Sequence, residues 1–464
     1  MKSYPLVVIG AGAAGLVVAA GVAKAGKKVL LVEKGPYGGD CTNFGCIPSK
    51  ALIASAEIAH ALKVAHLFGI NLSSSTFNAK EALPRVRRLV EEVRTHTDPE
   101  SLAKIGVETL TGLASFETPH ILNVNGEKIH AKRIVIATGG APFIPPIKGL
   151  SDTPFLTNET IFDLKEIPKS LAVIGGGPIG CELSQAFQRL GSQVSLIHSH
   201  ATLLNKEEPL AQEVIATQFK KEGIALFLST KIQEIHYHSN TFHILLDNGN
   251  TLQTEALLIC VGRRSNLNSL KLDAAKIHYC EKGITVDAYG RTNYSHIWAA
   301  GDVIGAPFFT HFAENQARAI LISLLIPLWK KKFASIQSVP RVTYTDPEVA
   351  SIGLSESQAA TRYNTATYHI PFSAIDRAIT SGRTEGFVTI ITKKWSSQIL
   401  GCTIVGPKAG DMLGLIALAM HAKIPLRKLS SVIYPYPTYT LAIRKAADLW
   451  LTQTILSIFK KKKT

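Results

Sequence analysis

Two copies of one glycine-rich pattern constrain this chain more than any other feature. In the first, an apolar run at residues 6–9 leads into Gly10-Ala11-Gly12-Ala13-Ala14-Gly15, then an alanine-rich stretch, then a second apolar run at residues 29–32 that ends in Glu33. Strand, glycine turn, helix and strand in that order describe a parallel unit whose helix N-terminus can accept a pyrophosphate. Gly10, Gly12 and Gly15 allow the tight turn and close approach, and the acid at the end of the second strand suits ribose hydroxyls. The second copy spans residues 171–197, with Gly175, Gly177 and Gly180 in the equivalent turn, 165 residues further on. A fold repeated at that distance predicts two dinucleotide sites in one chain. The residue matching Glu33 in the second copy is His198, followed by Ser199 and His200. An acid there favours NAD, so its replacement leans the second site toward NADPH over NADH.

With 464 residues, the chain exceeds the roughly 250–300 at which a single core stops growing. We expect a first dinucleotide domain at residues 1–150, a second at 151–275, a return to the first at 276–335, and a further domain at 336–464. Residues 142–146 hold three prolines and read as a linker. Hydrophobic residues make up 46% of the chain and charged residues 18%, a globular composition. The net charge of +15 suits anionic partners, and the duplicated turn points to nucleotides rather than nucleic acid. No secretory pattern precedes residue 6, so a cytoplasmic location is expected. The apolar run at 320–329 is too short for a bilayer, which takes about 20 residues, and reads as a core helix.

Two further stretches belong with the first site. Asp302, after the strand-like run that begins at Ile297, can present a carboxylate to a ribose or ribityl chain. Residues 134–138, which end in Thr138 before Gly139, look like a return strand. Of six cysteines, only Cys41 and Cys46 are close in sequence, five positions apart, where a turn brings α-carbons within disulfide range. Pro48 suits a first helical turn. At such a helix start, the dipole and Lys50 would lower the Cys46 pKa. Two buried free cysteines are the alternative.

The run Gly38-Gly39-Asp40-Cys41-Thr42-Asn43-Phe44-Gly45-Cys46-Ile47-Pro48-Ser49-Lys50 closely resembles the redox motif of the class I pyridine nucleotide-disulfide oxidoreductases. The resemblance extends through both glycine turns, Ala137-Thr138-Gly139, Gly262-Arg263, Gly301-Asp302, and the signature from Pro340 to Glu348. It implies an α/β enzyme with FAD and NAD(P) domains and a C-terminal α+β dimerisation domain, working as a homodimer. It also implies a mechanism in which electrons pass from NADPH or NADH through FAD to a Cys41/Cys46 disulfide. Cys46 would be the flavin-side thiol and Cys41 the interchange thiol, Lys50 and Glu182 would pair near the flavin, Asp302 would hold the ribityl chain, and His311 would start a helix beneath the flavin.

The chain departs from that family at its end. Lipoamide and glutathione enzymes carry His-Pro-Thr-x-x-Glu, whereas this chain reads Tyr436-Pro437-Thr438-Tyr439-Thr440-Leu441. A phenol of pKa near 10 shuttles protons poorly at neutral pH. Tyrosine at this place resembles mercuric reductase, although the chain ends in four lysines and a threonine rather than a cysteine pair. The expected acceptor is a small-molecule disulfide, a quinone or a metal ion, with a dihydrolipoamide dehydrogenase as the rival reading. The segment at 449–459 and its lysines are expected to pack as a helix on the dimer or to touch an anionic membrane.

Overall fold

The computed structural model describes residues 1–73, 77–326 and 328–461, with side chains through residue 456. The chain forms two compact units, one made of residues 1–168 and 255–334, the other of 169–254 and 335 onward. Within the first unit, Leu156 bridges Leu258 in parallel. At the start of the proline-rich stretch, the strand Gly140–Pro142 pairs antiparallel with Arg263–Ser265 inside the first unit.

The first unit is built on five parallel strands in the order Ile297–Ala299, Ile134–Ile136, Val7–Ile9, Leu30–Glu33 and Glu108–Thr111. Their near-continuous apolar sequences follow from burial on both faces. Val7, Ile9, Leu30 and Val32 point into a core shared with Phe116, Leu122 and Ile129 of a separate sheet. Val8, Leu31 and Val135 point the other way, under the helices Ala13–Lys24 and Thr310–Leu325. Gly15 is obligatory in the first turn, because a Cβ there would lie 1.8 Å from the carbonyl oxygen of Gly10.

The expected core helix at 320–329 is only partly present. Ile320 and Leu324 are buried, but the helix stops at Leu325. Proline at 327 cannot continue a helix and biases the preceding residue away from helical angles, and Ile326 has φ −128° and ψ 82°. Leu328 and Trp329 stand outside the core.

In the second unit, Ser170–Ile174, Gln193–Ile197 and Ala225–Phe227 are parallel neighbours, with the helix Pro178–Arg189 following the first of them. A five-stranded antiparallel sheet runs Arg341–Thr343, Glu348–Gly353, Ile399–Gly406, Phe387–Lys393, Thr365–Pro371. Helices Ala409–His421 and Leu441–Lys461 share its core. This is the expected α/β arrangement with an α+β C-terminal part. The last helix buries Ala442, Ile443, Ala446, Ala447 and Trp450, and Leu449 packs against them. Leu451, Ile455 and Leu456 are exposed, while Ile458, Phe459 and the lysine side chains lie outside the described residues.

Candidate active site

The segment that carries the two cysteines is held by backbone geometry and by one buried amide. Gly38 and Gly39 have φ of 96° and 65°, and a Cβ at Gly39 would sit 2.5 Å from the α-carbon of Gly12. The cysteine segment therefore lies directly against the first glycine turn. Buried Asn43 donates to the carbonyls of Tyr37 at 3.0 Å and Gly39 at 2.8 Å and accepts from Arg94 at 2.9 Å. Asn158 donates to Asp40 at 3.2 Å and to the Phe44 carbonyl at 3.3 Å.

Cys46 is the first residue of the helix Cys46–Val64, whose cap, Gly45, offers no side chain to the free amides. Thr310, the first residue of another helix, places its hydroxyl 3.8 Å from the Cys46 sulfur. Two helix N-termini thus converge on one sulfur, which favours its thiolate. The Cys41 thiol is driven well above its ordinary value, first by its hydrogen bond to Cys46, then by burial and by the Cys46 charge, against a smaller opposing pull from Thr310. Both the direction of the Cys41 shift and the helix start at Cys46 favour the proton on Cys41. Cys181 and Cys402 are buried, and burial pushes the Cys402 thiol up.

Beside the cysteines lies a cradle that fits FAD. The helix Ala13–Lys24 opens without a side-chain cap, and Glu33 accepts from the Ala11 amide at 2.6 Å and the Gly35 amide at 2.9 Å. That fixes a carboxylate at the strand end where a ribose would lie. Asp302 follows the strand Ile297–Ala299 and is raised above the usual carboxylate range by burial and by Asp40, which together outweigh Arg263. Arg263 forms ion pairs with both acids, to Asp40 at 2.9 Å and Asp302 at 3.3 Å, so it joins the cysteine segment to the cradle. Thr138 donates to the Asn266 carbonyl at 3.4 Å, Gly139 has φ 70° and Gly262 has φ 137°. His311 is the second residue of its helix and stacks on Phe309. When bound, FAD would supply a two-electron relay between nicotinamide and thiols.

The second turn repeats the first down to one hydrogen bond. As Glu33 accepts from Ala11, His198 Nδ1 accepts from the matching amide, Gly176, at 3.1 Å. Burial and then the neighbouring His200 lower the His198 pKa. His198 is thus neutral, with its proton on Nε2. Ser199 and His200 are exposed beside it. Gly175 has φ 118°, and Gly177 caps the Pro178–Arg189 helix that carries Gly180.

One face of that helix grips the Pro340–Glu348 signature. Glu182 accepts from the Tyr344 amide at 2.9 Å, and Gln185 both accepts from and donates to the Asp346 backbone at 2.7 Å. Arg189 binds Glu222 through two bonds of 2.8 and 2.7 Å and reaches Asp346 at 2.9 Å. Lys50 belongs to the first unit and Glu182 to the second, and each is placed by its own helix. Tyr436 donates to Asp376 at 3.0 Å, and that bond, with the Asp376 charge, raises the phenol further.

Asn43, Asn158, Thr310 and Asp376 were not visible as site residues in the sequence. Asn43 alone had a local signal, its place between the two cysteines. A duplicated dinucleotide fold with a helix-borne dithiol beside its first turn defines a nucleotide-linked thiol oxidoreductase. The chain belongs to the pyridine nucleotide-disulphide oxidoreductase family: that family's description matches residues 4–317, and its dimerisation domain matches residues 339–447. Members are FAD-dependent dimeric oxidoreductases that use a pyridine nucleotide. The chain is 33% identical to a mercuric reductase of Lysinibacillus sphaericus over 97% of this chain and 84% of that one. It is 34% identical to a dihydrolipoyl dehydrogenase of Chlamydia trachomatis over 98% and 97%. Among solved structures, it is similar to the Cu(II) complex of the HOCl-induced flavoprotein disulfide reductase RclA from Escherichia coli, with a TM-score of 0.87, 28% identity, and coverage of 97% and 100%.

Proposed function

We propose that this flavoprotein uses NADPH to reduce a thiophilic metal ion at the Cys41/Cys46 dithiol, and that lipoamide and glutathione disulfide are poor substrates. The observation that carries this is the Tyr436–Asp376 pair, which stands where the family's thiol-disulfide enzymes have an imidazole base. A phenol raised above its usual value cannot take up a thiol proton at neutral pH. Capture of a metal ion by a thiolate needs no such base, and the Cys46 environment supplies the thiolate. Similarity to a mercuric reductase and to a Cu(II)-binding reductase supports the same acceptor class. Two electrons from NADPH, released as NADP+ and a proton, would reduce one Hg(II) to the metal or two Cu(II) to Cu(I). The similarity to dihydrolipoyl dehydrogenase keeps a second reading alive. A panel of Hg(II), Cu(II), quinones, lipoamide and glutathione disulfide decides between them. We expect a metal ion to give the highest kcat/KM, and lipoamide to run about 10² to 10⁴ below a histidine-bearing member. Fast lipoamide turnover would overturn the proposal.

NADPH preference rests on His198, a neutral acceptor where the first turn has a carboxylate. Without that charge, a 2′-phosphate meets no repulsion. His198→Glu keeps an acceptor for the Gly176 amide and restores the charge. We expect the NADPH-to-NADH ratio of kcat/KM to fall by on the order of tenfold, about 1.4 kcal/mol. A parent enzyme that already favours NADH would refute the assignment.

The basic tail remains a candidate membrane contact. Its test by truncation needs a cut later than Ala447, because Trp450 is buried and donates to the Lys394 carbonyl at 3.3 Å. A chain ending at Thr454 keeps that anchor.

A further inference from the structure

The segment that fails to continue the core helix has a composition and a placement of its own. It leaves the helix at Leu325, and the chain is anchored again at Phe333, whose amide donates to the Ala288 carbonyl at 2.9 Å. The Phe333 ring packs onto the core so closely that a Cβ on Gly290 would meet it at 2.3 Å. Between these two anchors the chain projects a short tip. Leu328 is 95% exposed, Trp329 is 70% exposed and Ile326 is 46% exposed. Lys330, Lys331 and Lys332, all exposed, follow directly. No Asp or Glu occurs in the sequence between Glu314 and Asp346. The nearby acid Asp287 is engaged with the amides of Tyr289 at 2.8 Å and Arg291 at 2.9 Å, and Arg291 faces the Trp298 ring. Lys332 reaches over Tyr289.

We propose that this tip, Ile326 with residues 328–332, is a docking point for an anionic lipid bilayer, separate from the C-terminal tail. An aliphatic residue and a tryptophan at the apex, with three lysines immediately behind, match the layers of a membrane interface. Leu328 enters the acyl boundary, the indole of Trp329 sits at headgroup level, and the lysines reach lipid phosphates while their stems stay in the apolar layer. A nucleic-acid groove would draw on the lysines but leave Leu328 without a function. The firm anchors at Leu325 and Phe333 mean that little chain has to be ordered on contact. Docking here would set the reductase at a membrane surface.

The test uses the full-length, flavin-loaded protein and vesicles of phosphatidylcholine containing about one third phosphatidylserine. We expect co-sedimentation at low salt that falls as salt rises, and none with phosphatidylcholine alone. Each lysine near such a surface contributes roughly fivefold in affinity. The triple change Lys330→Gln, Lys331→Gln, Lys332→Gln should therefore lower binding on the order of a hundredfold. The double change Leu328→Ser, Trp329→Ser should lower it at least about tenfold, whereas the chain ending at Thr454 should keep the tip's share. Unchanged flavin content and NADPH oxidation would show that the variants fold. Binding that survives the double change, or that disappears only with the tail, overturns the proposal. So does binding that an RNA competitor abolishes while the double change leaves it intact.

Discussion

Cys46→Ser will remove the long-wavelength charge-transfer absorbance that two-electron reduction gives the yellow protein, and Cys41→Ser will keep it. The asymmetry follows from the local structure. Cys46 begins its helix and lies 3.8 Å from the hydroxyl of Thr310, itself the first residue of a second helix. Cys41 also feels Thr310, but that pull is outweighed, and its thiol is pushed up by the Cys46 sulfur that it donates to, and by burial. A hydroxyl at 46 cannot ionise at neutral pH, so the donor to the flavin disappears. A hydroxyl at 41 can still donate to the Cys46 thiolate. Acceptor reduction should fall at least about 10³-fold in both variants, the scale on which loss of a reacting nucleophile shows in kinetics. Flavin reduction by the nicotinamide should persist. A band that survives in Cys46→Ser, or vanishes in Cys41→Ser, would reverse the roles.

The second large effect concerns stability. Glu222→Ala should cost about 2–3 kcal/mol, because Arg189 keeps Asp346 but loses its bidentate partner in a buried setting. The same pair sets a pH dependence. Burial alone would raise the Glu222 carboxyl, but Arg189, by hydrogen bond and by charge, and then the Gln218 and Gln185 amides more than offset it and hold the group below its ordinary range. A carboxylate depressed in the folded state contributes stability that is fully present above its unfolded pKa, near 4.3. That stability is lost as pH falls through the lower folded value. The denaturant midpoint of the parent should therefore drop more steeply below about pH 4.3 than that of Glu222→Ala. Parallel pH profiles would refute the assignment. Glu182, Gln185 and Arg189 share a helix face, so this pair also steadies the segment that Glu182 binds.

Sequence pattern was most informative where the chemistry is local. The Gly10 and Gly175 turns, Glu33 and the Cys41–Cys46 segment each lie within one strand–turn–helix stretch, and the structure keeps them in that form. It was less informative where the partner is distant. Arg263 was expected at the cofactor, but it forms ion pairs with Asp40 and Asp302, residues far from it in sequence. Tyr436 was legible as a missing histidine, whereas Asp376, its hydrogen-bond partner 60 residues earlier, carried no signal. His198 was legible as a missing acid, and only its geometry showed that it takes over the acceptor task of Glu33 with a neutral ring.

The stretch at 320–329 shows the same division from the other side. Its apolar composition suggested a core helix, but a proline inside it made the last turn untenable, and Leu328 and Trp329 came to lie outside. By itself, then, the sequence determined the duplicated α/β framework, the redox pair and the family. These depend on backbone conformations and spacings within a few consecutive residues. Tertiary structure alone decided which acids Arg263 joins, and what Tyr436 and His198 bind. Those outcomes depend on burial and on side chains from distant segments, and a pKa or an ion pair exists only once the packing has brought them together.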